Sequence, residues 1–125
     1  MLFAAPEGGV PFAVVDWQLM TRGRGVFDVA YFLSENLQPE DRKAKDMDLL
    51  RIYHCILVEN GVHGYAFEQC LHDYRLSLLF RMAYIVYTVT RFVDNDEGRL
   101  WFIDTALARN NAAILDVNAG EALSR

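Results

Sequence analysis

The chain reads as mainly α within the α+β class, an amino-terminal β-hairpin followed by a four-helix array, and three observations predict it. Convincing strand signal is confined to the first eighteen residues. Beyond them, apolar residues recur at helical spacing between recognisable start and stop residues. The 125 residues are 53% apolar and 13% aromatic, which is enough to close one core, with no internal repeat or low-complexity tract. One unit is therefore expected over 1–117, made of a hairpin at 1–18 and a helical subdomain at 28–117, with 118–125 as a frayed tail of small and polar residues.

Each element has a local cause. Met1 to Phe3 and Phe12 to Val15 form the strands, and Pro6 with Gly8-Gly9 supplies the turn geometry between them. Asp28 starts the first helix, which carries Val29, Tyr31, Phe32 and Leu33 and ends at Asn36. Pro39 suits a first helical position, and Glu40 and Asp41 favour its dipole. That second helix has the stripe Leu49, Ile52, Tyr53, Ile56 and Leu57 and stops at Asn60-Gly61. The third, from about Phe67 to Val93, lines Cys70, Leu71, Tyr74, Leu78 and Met82 along one face and becomes apolar almost all round after Leu76, as a central helix does. Asp96 caps a last helix through Trp101, Phe102, Thr105, Leu107 and Ile114.

Composition excludes several classes of function. A net charge of −5 and a pI near 5.1 leave no broad basic face for nucleic acid. The apolar run Leu78–Tyr87 is short and broken by Arg81, so no membrane span is expected. Cys55 and Cys70 make no Cys-x-x-Cys pair and read as reduced core thiols of a cytoplasmic protein. His54, His63 and His72 are nine residues apart, which is not metal-ligand spacing on one helix face. The Asp94–Gly98 cluster fails the calcium-loop template, because its sixth and twelfth positions are Arg99 and Thr105 rather than glycine and an acid.

The chemistry is concentrated at Pro11-Phe12-Ala13-Val14-Val15-Asp16-Trp17-Gln18, a β-branched run that ends on a carboxylate. A strand delivering an acid to a loop is a common way to place a ligand for a hard cation at the rim of a core. The same carboxylate could instead accept backbone N–H bonds within its own loop. Arg22-Gly23-Arg24-Gly25 follows, and the two arginines suit contact with one anionic group or simple solvation. Asp28-Val29-Ala30-Tyr31-Phe32-Leu33 lies twelve residues after Asp16.

Val14-Val15-Asp16-Trp17-Gln18 paired with Asp28-Val29-Ala30-Tyr31-Phe32-Leu33 resembles the carboxyl-terminal lobe of the aminoglycoside phosphotransferase and choline kinase-like superfamily, including its ecdysteroid kinase-like branch. The resemblance implies a protein-kinase-like fold. It implies that Asp16 holds the Mg²⁺ bridging ATP phosphates, as metal and cofactor ligand, and that Asp28 braces the catalytic loop, although Asp28 serves equally as a helix cap. Gln18 stands where some relatives carry a second acid. The superfamily's His-Gly-Asp catalytic loop, with its later Asn, would fall just before Met1, and no later histidine is followed by Gly-Asp.

The expected function is therefore the carboxyl-terminal part of an ATP- and Mg²⁺-dependent phosphotransferase acting on a small-molecule hydroxyl, inactive alone and binding neither cofactor tightly by itself. Asp73, Asp94 and Glu97 are candidates to face a cationic substrate. The competing expectation is a non-catalytic helical interaction or oligomerisation module, derived from a kinase lobe, that uses exposed apolar surface to bind itself or a partner, whereas the kinase reading leaves that surface for the missing amino-terminal lobe.

Overall fold

A computed structural model describes residues 2–5, 8–15, 17, 20, 22–92 and 97–124. Among them the chain forms strands β1 (Leu2–Ala5) and β2 (Gly8–Ala13), helices α1 (Val26–Asn36), α2 (Pro39–Glu59), α3 (Phe67–Phe92) and α4 (Glu97–Asp116), and a short 3-10 helix (Ala119–Leu123). The fold is thus mainly α, with an amino-terminal hairpin and a four-helix array.

The strands pair antiparallel, with Leu2 opposite Ala13, Phe3 opposite Phe12 and Ala5 opposite Gly8, and the register shifts between Phe3 and Ala5. Gly8 and Gly9 lie inside β2 rather than in the turn, and β2 ends at Ala13 rather than at Val15, with Val14 and Val15 exposed beyond the last strand pairing. Gly8 takes φ 108°, the left-handed region that glycine enters without penalty. No helix packs on the hairpin among the described residues.

α3 is the hub, packed against α1, α2, α4 and the 3-10 helix. Its inward face sets Cys70, Tyr74 and Leu78 against Val26, Ala30 and Leu33 of α1, Leu50 of α2 and Ala113 of α4. α1 begins at Val26, two residues earlier than expected, because Phe27 and Asp28 N–H already donate to the carbonyls of Arg24 and Gly25.

Three sequence expectations need correction. The α2 stripe is rotated: Leu50 is the buried residue, while Ile52 and Ile56 are exposed. The inward face of α2 also carries the buried pair Arg42 and Asp46, a polarity that a search for apolar stripes passes over. Residues 118–124 are not frayed. Asn118 adopts the left-handed conformation at φ 50°, ends α4 and turns the chain so that Ala119 and Ala122 bury against the helices. Arg75 fastens that turn by donating to the Val117 carbonyl at 2.8 Å and pairing with Glu121 at 3.0 Å. Cys55, expected in the core, is exposed, whereas Cys70 is buried and both thiols are free. No helix of the described residues is long and apolar enough to cross a membrane.

Candidate functional site

The segment joining β2 to α1 carries most of the sequence-singled residues. Just past the strand the chain turns: Met20 N–H donates to the Trp17 carbonyl and Trp17 Nε1 to the Val14 carbonyl, both at 3.0 Å. The Trp17 ring stays exposed rather than packing beside the hairpin. Asp16 and Gln18 lie outside the described residues. Asp28 is the third residue of α1 and is exposed, with Gly25 at the cap position and no side-chain cap bond there. Its carboxylate stands in the first turn, where negative charge favours the helix dipole.

Arg22 is exposed, but Arg24 finds an anion within the chain: its Nη1 donates to Asp73 Oδ1. Asp73 is buried on α3 and is the meeting point of a network. Gln69 Nε2 donates to the same oxygen at 2.7 Å, and the Tyr65 hydroxyl donates to Oδ2 at 3.1 Å. One turn further along, the Ser77 hydroxyl donates to the Asp73 carbonyl at 2.7 Å. The spacing 69, 73, 77 stacks these groups on one helix face. Asp73 therefore does not stand open to a cationic substrate, because Arg24 occupies it.

A cleft of about 280 Å³ opens beside this network, lined by Arg24, Gly25, Tyr53, Leu57, Val62 and Tyr65, with Asp73 at its base. The Tyr53 hydroxyl crosses the start of α1 so closely that a Cβ on Gly25 would lie 2.8 Å from it. Burial pushes the Tyr53 and Tyr65 hydroxyls above the usual tyrosine range, with Cys70 adding to both, so the tyrosines stay protonated as donors. Burial also raises the Cys70 thiol, although its contact with Tyr65 opposes this. Beside the cleft, His54 Nε2 lies 2.7 Å from the Tyr65 carbonyl, and its ring packs edge-on against Phe67.

Two further ionic clusters are buried between helices. Arg42 donates to Asp46 at 2.6 Å and to Asp116 at 2.5 Å, while Asp46 accepts the Tyr74 hydroxyl at 2.6 Å and Lys43 meets Asp116 at 3.0 Å. Arg81, which looked like an interruption of an apolar run, pairs with Glu35 and lies over the Tyr31 ring at 4.0 Å. Neither cluster opens on the cleft. They tie α1, α2, α3 and α4 together, and sequence spacing reveals only the Arg42–Asp46 step.

No three His, Cys, Asp or Glu side chains gather as metal ligands among the described residues. Asp94, Asn95 and Asp96 lie outside the described residues, as does the side chain of Glu97.

A family model described as "Uncharacterized oxidoreductase dhs-27", DUF1679, matches residues 1–111. The chain belongs to the DUF1679 family. No curated protein and no solved structure matches it. The DUF1679 match takes in the hairpin, the Arg22–Gly25 loop, α1 to α3 and most of α4, and stops before the 3-10 helix.

Proposed function

We propose that this DUF1679 chain is the carboxyl-terminal part of an ATP- and Mg²⁺-dependent phosphotransferase of the ecdysteroid kinase-like kind, acting on a hydroxyl of a small molecule. One observation carries the reading: β2 runs to Ala13, three residues before Asp16 in the sequence, and the eleven-residue α1 opens at Val26. The kinship of DUF1679 with the ecdysteroid kinase-like group supports it.

In this reading Asp16 would offer a carboxylate oxygen to Mg²⁺, a hard cation that favours such ligands. Among the described residues no cluster of three potential ligands gathers, and Asp16 is the one metal ligand this reading takes from the chain. When bound, Mg·ATP supplies the phosphoryl group and neutralises its charge. The chain's own part is to supply the Asp16 carboxylate after β2 and the packed helices that follow it in sequence.

The word oxidoreductase belongs to the family's description, and two features weigh against carrying it over. The described sheet is one antiparallel pair rather than a parallel dinucleotide-binding sheet. Gly23-Arg24-Gly25-Val26-Phe27-Asp28 places an acid where the dinucleotide fingerprint needs its third glycine.

The test joins this chain to the amino-terminal lobe and catalytic loop of a family relative and measures ADP release with small alcohols. Asp16→Asn should lower turnover by about a hundredfold or more. A fusion that folds, binds nucleotide and turns over equally well with Asn at that position would overturn the reading. A second reading, a helical interaction module, is favoured by the exposed aromatic residues Phe80, Tyr84, Trp101 and Phe102 of α3 and α4. A discrete oligomer in size-exclusion chromatography with light scattering, unresponsive to Mg·ATP, would support it instead.

A further inference from the structure

We propose that the outward face of α2 binds a second copy of this chain, the two helices running antiparallel with Ile52 at the twofold axis. The face is built the wrong way round for a helix that meets only water. α2 turns the ion pair of Arg42 and Asp46 inward together with Leu50, yet leaves Ile52 55% and Ile56 51% exposed, with the Cys55 thiol exposed beside them. Ile52, Cys55 and Ile56 follow one another at three- and four-residue spacing and form one strip. A single exposed isoleucine is ordinary, but such a strip on a helix that has placed charge in the core suits a contact surface.

The charges on the same face choose the occupant and its direction. Lys45 precedes Ile52 by seven residues and Glu59 follows it by seven, close to two helical turns either way, so all three project from one side of α2. Both charged residues are exposed, and neither has an ion-pair partner among the described residues. A half-turn about Ile52 brings Lys45 level with Glu59 of the partner subunit, and symmetry makes the match twice. Parallel pairing would set lysine against lysine and glutamate against glutamate, a repulsion that selects the antiparallel arrangement. A different protein would have to supply the complementary charges at the right spacing; a second copy already carries them.

α2 has 21 residues, so about 30 Å of helix is available, and one helix pair is small beside a permanent dimer interface. Asp48, four residues before Ile52, falls level with Ile56 of the partner subunit and adds nothing to the contact. Association is therefore weak and depends on concentration. The face shares no residue with Asp16 or with the exposed aromatic residues of α3 and α4, so it serves under either function.

Sedimentation velocity from about 5 to 500 µM tests this. The weight-average mass is expected to rise with concentration from 14.3 kDa towards twice that value. Ile52→Glu should weaken association about tenfold or more with unchanged circular dichroism. Lys45→Glu should weaken it about fivefold, and adding Glu59→Lys to that variant should restore it. Should Ile52→Glu lose helical signal, the charge reversal, confined to exposed side chains, decides alone. Direction is read by oxidation in a Cys55→Ser background. Ile52→Cys places two thiols at the axis and should give a disulfide-linked dimer, whereas Glu59→Cys should not, because antiparallel helices hold those positions about 20 Å apart. A chain that stays monomeric throughout the range, a dimer indifferent to a folded Ile52→Glu, a charge swap that restores nothing, or Glu59→Cys linking as fast as Ile52→Cys would overturn the proposal.

Discussion

The buried Arg42–Asp46–Tyr74 cluster allows a stability effect to be worked out in advance. The Arg42 side chain is 1% exposed, and two carboxylates compensate its charge, Asp46 at 2.6 Å and Asp116 at 2.5 Å. Asp46→Ala removes the more deeply buried of these and also orphans the Tyr74 hydroxyl, which bonds Asp46 at 2.6 Å. Breaking a buried ion pair from one side costs about 3–5 kcal/mol, and a buried hydroxyl without a partner about 1–3 kcal/mol. The two losses share one site and do not add fully, so about 4 kcal/mol is expected, against a whole-domain stability of about 5–15 kcal/mol. Urea unfolding followed by far-ultraviolet circular dichroism should show the midpoint fall by about 2 M at unchanged slope. The double variant Arg42→Met with Asp46→Leu removes both charges and should recover at least half of the loss. A loss below about 1 kcal/mol, or a double variant no better than the single one, would refute the argument that an uncompensated buried charge sets the cost.

Other outcomes follow from the same geometry. Hydrogen bonding from Lys43, with Arg42 adding to it, holds the Asp116 carboxyl below its ordinary 3.8 despite partial desolvation, so its stabilisation is complete above that value and is lost as pH falls through the lower native one. The stability gap between wild type and Asp116→Asn should therefore be full at pH 7 and shrink below about pH 4, and a gap unchanged to pH 2 would contradict this. Gly25→Ala should cost about 1 kcal/mol in thermal unfolding, because its Cβ meets the Tyr53 hydroxyl at 2.8 Å, and Tyr53→Phe should restore most of that. A thiol reagent should modify exposed Cys55 within minutes and buried Cys70 only on unfolding, and equal rates would place the two thiols wrongly.

The helices were readable because their ends are written in local chemistry. Pro39 opens α2 as its first residue, Asn60-Gly61 closes it with Gly61 at φ 89°, and α3 starts at Phe67 as its spacing implied. Which side of each helix faces inward was less legible. Ile52 and Ile56 have the right period for a core stripe and are exposed, because α2 spends its inward face on Arg42, Asp46 and Leu50. An arginine and aspartate four apart look like a surface pair on any helix, and only the approach of α3 and α4 buries them. Arg24 was singled out as an anion contact, but its partner lies 49 residues away on α3, a distance no local pattern spans. The carboxyl-terminal turn is not legible because alanines such as Ala119 and Ala122 make no apolar stripe, and what buries them is packing against α3 and α4, far away in sequence.

Among the described residues, five of the buried apolar side chains are alanines: Ala30, Ala106, Ala113, Ala119 and Ala122. A methyl group is the least bulk a chiral side chain can contribute, so backbones approach closely there and leave little room for enlargement. Tolerance to change should therefore be lopsided. Trimming the bulky aromatic residues on the exterior disturbs little, whereas a single valine at Ala30 or Ala113, ordinarily among the mildest of exchanges, wedges neighbouring helices apart.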